Sequence, residues 1–219
     1  MKNEHPKVAV DLVIFSIVDG MLCVALIQMK KKPFEDMWAF PGGLVGLKES
    51  VDAAAKRDLK EKTDISNVYL EQLYTAGDVD RDPLHRVVSV AYFALINSEK
   101  VTLKTSKKYK DIRWFPVNKL PRLAYDHSEM SKIALARLKS KLEYTNIVYG
   151  LMPESFTLSH LQQVYEIILG RKLDKRNFRK KIHSLRLLKK TGLFDRKTTR
   201  RPASLYKFKE RKSKIIEIL

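Results

Sequence analysis

Apolar runs alternate with short polar breaks through the first two thirds of the chain, and their spacing predicts mostly strands. Val8–Ile17 and Met21–Met29 are separated by Asp19-Gly20, a pair typical of tight β-hairpin turns. Apolar residues three and four positions apart predict helices over Ser50–Lys62 and Met130–Leu142. Residues 1–145 are therefore expected to form an α+β domain. Its further strands are predicted over Met37–Phe40, Val68–Ala76, Arg86–Ile96 and Ile112–Pro116.

The pattern changes after Leu142, where helical spacing and basic residues dominate. Ser159 and Gln162 are spaced as a capping box, and Gly170 is placed to end the helix that follows. A basic helix is predicted to begin at Asp174 and to bury Phe178, Ile182 and Leu185. A basic stretch then leads to a returning strand over 202–208. Helix, turn, basic helix and hairpin predict a winged helix-turn-helix domain over residues 146–219.

The charge of the chain is concentrated in this second part. The net charge is +18, and residues 151–219 carry 19 basic and 6 acidic side chains, against 24 and 19 in residues 1–150. A compact module with this excess is typical of proteins that bind nucleic acid phosphates. A solubilising surface and a tail on anionic lipid are the alternative interpretations.

Composition excludes several other classes of protein. The longest apolar run, Val8–Ile17, is interrupted by Asp11 and is shorter than the roughly 20 residues of a membrane span. The first residues lack the apolar core of a signal peptide, and Cys23 is the one cysteine, which excludes a disulfide framework and a cysteine-bound zinc site. A cytoplasmic protein that does not contact a membrane is expected.

A specific motif begins directly after the third predicted strand and extends through the first predicted helix. Gly43, Glu49 and the segment Arg57–Lys62 have the spacing of the Nudix box, G-x5-E-x7-R-E-U-x-E-E-x-G-U, with Trp38 and Phe40–Gly43 ahead of it. Carboxylates three and four residues apart share one helix face, where they can hold Mg²⁺ against a diphosphate. In this chain those places are taken by Asp58, Glu61 and Lys62.

The motif departs from the hydrolase pattern at its metal-binding positions. Asp58 is shorter than glutamate, Lys62 puts a cation where a carboxylate is needed, and Asp64 stands in the place of glycine. No cofactor is therefore expected to be required, and no catalytic residue is assigned. Three outcomes remain open: ion pairs that only brace the loop, an anion or sugar pocket without turnover, and residual hydrolysis. If a metal site is retained, its candidate ligands are Glu49, Asp58 and Glu61.

The chain as a whole resembles the Nudix-related transcriptional regulators, among them the NAD-metabolism repressors of the NrtR family. The resemblance covers nearly the whole chain. Leu173–Ile182 and Arg201–Tyr206 are the more discriminating segments, because simple Nudix hydrolases lack them. The resemblance rests on Asp78–Pro83, Arg86–Tyr92, Trp114–Pro116, Ala124–His127, Leu142–Asn146, Phe156–Leu158, Leu161–Glu166, Leu173–Ile182 and Arg201–Tyr206.

The resemblance implies a Nudix-like α/β/α sandwich for effector binding and dimerisation, followed by a winged helix that binds double-stranded operator DNA. The implied function is a homodimeric, ligand-responsive repressor that senses an ADP-ribose-type or sugar metabolite without catalysis. The alternative is a Nudix pyrophosphatase that hydrolyses a nucleoside diphosphate derivative with Mg²⁺ and carries a basic accessory domain. A non-catalytic nucleotide-binding scaffold is a third hypothesis.

Candidate binding residues follow from the two predicted sites. Effector-binding candidates are charged residues of the first domain, which could equally form a salt-bridged loop: Arg57, Glu61, Asp80, Arg81, Asp82 and Arg86. His127 could cap the following helix or contact the ligand. DNA-binding candidates lie on the basic helix, where Arg and Asn can contact bases or phosphates, and at the wing tip: Lys175, Arg176, Asn177, Arg179, Lys180, Arg200 and Arg201.

Overall fold

A computed structural model describes residues 5–65, 68–105, 107–195 and 202–216, and its first domain is a mixed sheet with a helix on each face. The strands are β1 (Lys7–Val18), β2 (Met21–Met29), β3 (Trp38–Ala39), β4 (Gly42–Leu44), β5 (Tyr69–Ala76), β6 (Val87–Leu95) and β7 (Tyr109–Pro116). The helices are α1 (Val51–Thr63) and α2 (His127–Tyr144), and Ser98–Lys100 forms one short 3-10 turn.

Strand β1 is at the centre of the sheet. The order is β3-β2-β1-β6-β5, with β4 paired to β1 and β7 paired to β2. Only β1 and β6 run parallel among the described strand pairs of this sheet, with Val10 beside Val90. Strand β4 was not predicted, because Gly42 and Gly43 indicate a stop, yet Gly43 pairs with Val10.

Alternate residues of β1 pack against different helices. Leu12 and Ile14 lie with Ala55 and Leu59 of α1, whereas the neighbouring Val13 lies in a separate cluster with α2. Successive side chains of a strand point to opposite faces, so a strand that is apolar throughout is buried on both sides. The expected α/β/α sandwich is confirmed.

The second domain has the predicted winged helix-turn-helix order. A short 3-10 turn (Ile147–Gly150) precedes α3 (Leu158–Leu169) and α4 (Lys175–Ser184), and β8 (Leu188–Asp195) pairs antiparallel with β9 (Ala203–Phe208). Gly170 ends α3 in the left-handed conformation, with φ +71°. Asp174 caps α4, since its Oδ1 accepts a hydrogen bond of 2.7 Å from the Asn177 amide.

The predicted capping box of α3 is wrong. Helix α3 begins at Leu158, and its N-cap is Thr157, whose hydroxyl accepts a hydrogen bond of 3.1 Å from the His160 amide. Ser159 therefore lies within the first turn. The S-x-x-Q spacing was misleading because Thr157 has the same spacing to His160 and a capping hydroxyl of its own.

The two domains share one apolar cluster. Leu138 and Leu142 of α2 and Leu161 and Val164 of α3 belong to a single group of buried residues that extends from β1 to Phe208. The carboxyl-terminal segment also returns to the junction: the Asn146 side chain donates to the Lys212 carbonyl and accepts from the Lys214 amide, at 3.0 and 2.7 Å. The winged helix is thus packed directly onto the sandwich. Within the described residues, no helix is long and apolar enough to cross a membrane.

Candidate effector pocket and DNA-binding surface

A pocket of about 240 Å³ opens where β1 and β4 meet the beginning of α2. Strand β1 contributes Asp11, and β4 contributes its glycines. The loop after β5 contributes Arg81 and Asp82, whereas β7 contributes Tyr109. The remaining wall is the segment that starts α2, with Tyr125 and His127. Two tyrosine rings, a histidine and buried charges therefore line one cleft. Such side chains suit a polar ligand that carries a flat ring, because aromatic rings can stack on it and polar groups can bind its remaining atoms.

An ion-pair network forms the floor of this pocket. Arg81 is buried and binds Asp126 with two hydrogen bonds of 2.8 and 2.9 Å, and it reaches Asp11 at 3.2 Å. Ser89 donates a hydrogen bond of 2.6 Å to the same Asp11 oxygen. Burial alone raises the pKa of Asp11, but His127, Ser89 and Arg81 together outweigh it and lower that pKa. The floor therefore holds two carboxylates that share one guanidinium.

His127 is fixed between the pocket and the core. Its Nδ1 accepts a hydrogen bond of 2.9 Å from the Phe40 amide, so a neutral ring carries its proton on Nε2. That Nε2 lies 3.5 Å from Asp11 Oδ1 and has no hydrogen-bond partner within the part of the chain that the structure describes. The ring also lies against Phe40 and Tyr125 at centroid distances of 5.4 and 5.3 Å.

The Nudix-box residues lie next to the pocket and bind one another. Arg57 bonds Glu49 at 2.7 and 3.2 Å and Asp58 at 2.8 Å, and it lies 3.9 Å from Glu61. Side-chain hydrogen bonding to Arg57 and the Gly46 amide lowers the pKa of Glu49. These ion pairs join the loop before α1 to the helix, which is the first of the three outcomes that the sequence left open. Arg57 and Glu61 are consequently not among the described residues that line the pocket.

This arrangement does not fit a Nudix metal centre. The described residues contain no group of three or more His, Cys, Asp or Glu that could hold a metal ion. Lys62, at a metal-facing position of the motif, is 2% exposed, and its ammonium lies 4.5 Å from the centroid of the Tyr109 ring. Mg²⁺ requires several oxygen ligands, whereas here both oxygens of Glu49 and one oxygen of Asp58 are held by a guanidinium.

Two of the remaining effector candidates line the pocket. Arg81 forms part of the floor, and Asp82 is on the wall, where its Oδ1 also accepts hydrogen bonds from the Leu84 and His85 amides. Arg86 instead donates to the carbonyls of Gly77 and Asp78, which fixes the loop after β5. Asp80 is exposed on that loop and lies outside the pocket wall. Its binding role stays a prediction.

Sequence reasoning missed several pocket residues. Asp11 is one of them, although a single charge inside an otherwise apolar central strand is a signal that could have identified it. Tyr109 and Tyr125 carried no such signal. They come from a strand and a loop far apart in sequence, and only the sheet register and the start of α2 bring them together.

The basic helix presents its predicted residues to solvent. Lys175, Arg176, Asn177 and Lys180 are exposed on α4, whereas Phe178 and Ile182 are buried against α3. No carboxylate of the described residues lies within ion-pair distance of the three cations in this exposed set. Such a face is free to meet phosphates or base edges.

Arg179 behaves differently from its neighbours. Its Nη2 donates a hydrogen bond of 3.1 Å to the Ser159 hydroxyl in the first turn of α3, so its side chain joins the two helices. Its Nε is buried and has no partner within the described residues. Arg200 and Arg201, the wing-tip candidates, lie outside the described residues. The hairpin that leads to them exposes Leu193 and Phe194 beside a register shift in β8.

A ligand pocket in a Nudix-type sandwich, packed onto a winged helix with an exposed basic helix, defines a ligand-binding transcriptional regulator. Comparison with known families agrees with this class. A model described as NUDIX domain matches residues 5–135, and one described as NrtR DNA-binding winged helix domain matches residues 148–208. The chain belongs to the NrtR family of Nudix-related regulators.

Individual relatives share both domains. The ADPR responsive transcriptional repressor NtrR of Acinetobacter baylyi is 39% identical over 213 residues, which are 94% of this chain and 84% of that protein. A crystal structure of Shewanella oneidensis NrtR complexed with a 27mer DNA is 34% identical, with a TM-score of 0.81 over 92% of this chain and 93% of that one. The NUDIX domain of the Shewanella protein complexed with ADP ribose has a TM-score of 0.55 at 34% identity, over 62% of this chain and 90% of that chain.

Proposed function

We propose that this protein is a transcriptional repressor whose affinity for operator DNA is lowered by an ADP-ribose-type effector. The observation that carries the proposal is the placement of α2. Its first residue, His127, lines the pocket, and Asp126 immediately before it binds Arg81 of the pocket floor, whereas the later residues Leu138 and Leu142 pack with α3 of the winged helix. A ligand that shifts the start of α2 therefore acts on the DNA-binding domain through rigid packing.

ADP-ribose is the effector we favour. The repressor of Acinetobacter baylyi is described as ADPR responsive, and the Shewanella NUDIX domain was solved with ADP ribose. The pocket supplies Tyr109 and Tyr125 for contact with an adenine ring, and polar side chains for the ribose hydroxyls. The ligand regulates DNA binding only if it has different affinities for the free and DNA-bound conformations.

The proposed regulator does not hydrolyse its effector at the rate of an enzyme. Lys62 and the Arg57 ion pairs occupy the face of α1 on which the Nudix motif of a hydrolase holds Mg²⁺. Incubation with Mg²⁺ or Mn²⁺ and a panel of nucleoside diphosphate derivatives tests this. Turnover of roughly 1–10 s⁻¹, ordinary for enzymes, would instead support the pyrophosphatase alternative.

DNA binding is tested by specificity, because the basic second domain will bind any duplex to some extent. The affinity of the full chain for a palindromic operator from its own gene neighbourhood is compared with that for random duplex at physiological salt. We expect a ratio of at least ~10³, reduced by ADP-ribose. A ratio near one, insensitive to ADP-ribose, contradicts the proposal.

We further propose that the regulator acts as a homodimer formed through its first domain. A palindrome presents two half-sites, and a rigid two-fold assembly is needed to place one basic helix in each. The shared core of the two domains provides the rigid connection within each protomer. Light scattering of the full chain at micromolar concentration should give twice the mass of one chain. A monomer that binds the operator with full specificity contradicts this proposal.

A further inference from the structure

Asp58 is a buried carboxylate with only one satisfied oxygen. Its side chain is 5% exposed, and Oδ1 accepts a hydrogen bond of 2.8 Å from Arg57. Oδ2 has no hydrogen-bond partner within the described residues and faces Gly43, where a Cβ atom would lie 3.0 Å away. A charged carboxylate in this position needs a second source of positive charge besides Arg57.

Lys62 supplies that charge from the next turn of α1. Residues four apart lie on the same helix face, and burial lowers the pKa of Lys62, whereas the nearby carboxylates of Glu61 and Asp58 act to raise it. The ammonium is held over the ring of Tyr109, whose hydroxyl donates a hydrogen bond of 3.1 Å to the Gly42 carbonyl. The Lys62 carbonyl accepts a hydrogen bond of 2.8 Å from the Lys104 amide. The lysine is therefore fixed directly behind two pocket residues.

The local charge balance disfavours a divalent cation. The three carboxylates of Glu49, Asp58 and Glu61 are opposed by the two cations Arg57 and Lys62, so this group keeps only one net negative charge. A metal ion on this face would approach a buried ammonium to within several Å, where repulsion between like charges is strong. A glutamate at position 62 would change the local charge by two units, from one net negative charge to three, which is what a divalent cation would need.

We propose that the ammonium of Lys62 replaces a divalent cation on this face of α1, so that the pocket binds a diphosphate-bearing nucleotide without metal. This inference rests on the proposed function, since it concerns how the proposed effector is held. Lys62 acts through Tyr109 and Asp58 and is therefore a positioning residue. Its ammonium makes the potential beside Gly42 and Gly43 less negative than a carboxylate at this position would, and this difference favours the approach of phosphate oxygens.

The first experiment measures ADP-ribose binding to the full-length wild-type chain by calorimetry, in excess EDTA and in millimolar MgCl₂. The expected dissociation constants agree within about twofold, because no metal takes part in binding. Binding that requires Mg²⁺ overturns the inference and leaves the proposed effector intact. An absence of binding under both conditions removes both proposals, so the two failures are distinguishable.

The second experiment changes the lysine itself. In EDTA, Lys62→Glu should weaken ADP-ribose binding by about tenfold or more, and Mg²⁺ should restore part of the loss. Lys62→Glu should also bind Mn²⁺ alone, detected by electron paramagnetic resonance, whereas the wild type should leave Mn²⁺ free. Lys60→Glu is the matched control, because it makes the same charge change at an exposed position of α1 and should behave as the wild type.

Two further variants keep the test decisive if Lys62→Glu does not fold. Lys62→Met keeps an unbranched side chain that is one atom shorter and removes its charge, so it should weaken binding in EDTA with no recovery in Mg²⁺. Lys62→Arg should retain metal-independent binding. Wild-type affinity of a folded Lys62→Met variant in EDTA would show that the ammonium has no such role and would overturn the inference.

Discussion

The two domains use their charged side chains in opposite ways. In the sandwich, Arg81, Asp11 and Asp126 are mostly buried and satisfy one another, and Lys62 is enclosed beside Asp58. On α4, Lys175 and Arg176 are exposed and have no carboxylate partner within the described residues. Buried charges that are already paired stabilise a defined pocket shape, whereas exposed unpaired charges remain available to another molecule.

This difference predicts different sensitivities for the two binding events. Contacts between exposed cations and DNA phosphates release counterions, so DNA binding should weaken steeply as salt increases. The pocket charges are shielded from solvent, and salt screens buried pairs much less than exposed ones. Effector binding should therefore depend far less on ionic strength than DNA binding does.

The largest expected effect comes from breaking the paired network of the sandwich. Arg81→Leu leaves the Asp11 and Asp126 carboxylates without their shared cation, and it should lower the free energy of unfolding by about 3–5 kcal/mol. Urea denaturation monitored by circular dichroism measures this. Arg113→Leu is the control, since its ion pair with Asp111 is exposed, and it should cost less than about 1 kcal/mol. Equal losses in both variants would show that burial does not distinguish these pairs.

For an exposed cation of α4, substitution is expected to weaken DNA binding and to leave stability nearly unchanged. Arg176→Ala should weaken operator binding by about 1–3 kcal/mol if the side chain contacts a base edge. Its free energy of unfolding should stay within about 0.5 kcal/mol of the wild type, because no contact within the described chain depends on it. Fluorescence anisotropy with operator and random duplex measures the binding. Arg179→Ala is the informative partner variant: its bond to Ser159 joins α3 and α4, so it should lower stability as well as affinity.

A smaller effect distinguishes the observed cap of α3 from the predicted one. Thr157→Ala removes the hydroxyl that accepts from the His160 amide, and it should lower the free energy of unfolding by about 1 kcal/mol. Ser159→Ala should change stability less, because within the described residues its hydroxyl accepts only the Arg179 hydrogen bond and caps no backbone amide. Urea denaturation of the two variants side by side gives the comparison. A larger loss in Ser159→Ala would favour the capping box read from the sequence.

The smallest expected effect is the pH dependence of the stability that Glu166 contributes to the second domain. Glu166 accepts hydrogen bonds from the Leu173 amide, Lys172 and Gln162, which lower its pKa from 4.5 to about 2. A carboxylate whose pKa is lowered by folding stabilises the native state above its unfolded pKa and loses that contribution as the pH falls. The difference in Tm between the wild type and Glu166→Gln should therefore narrow as the pH falls from 4.5 towards 2. A difference that is independent of pH would contradict this origin.

Prediction from the sequence succeeded where a signal is local. The hairpin at Asp19-Gly20, the bounds of β2, the cap at Asp174 and the end of α3 at Gly170 all follow from short patterns, and the structure confirms them. The Nudix spacing identified the loop and helix of the motif in the same way. It also indicated that Lys62 disrupts the metal-binding face, since charge and position on a helix can be read without coordinates.

Prediction stopped where residues meet across long stretches of chain. Asp11, Tyr109 and Tyr125 form one pocket because β1, β7 and the start of α2 come together in the folded sheet. Arg57 and Glu61 were assigned to the effector, yet their side chains are engaged in ion pairs on α1. Arg179 was grouped with its exposed neighbours, although its place on α4 turns it towards Ser159.

The sequence by itself determined the order of the elements, the basic excess of the second domain and the loss of a metal-binding carboxylate, because periodicity, composition and motif spacing are properties of neighbouring residues. Only the tertiary structure decided which charges are paired and which are exposed. Burial and ion pairing depend on the packing of distant segments, here of Arg81 against Asp11 and Asp126. The same packing joins α2 to α3 in one apolar core. The pocket at the start of α2 and the basic helix α4 are therefore rigidly connected.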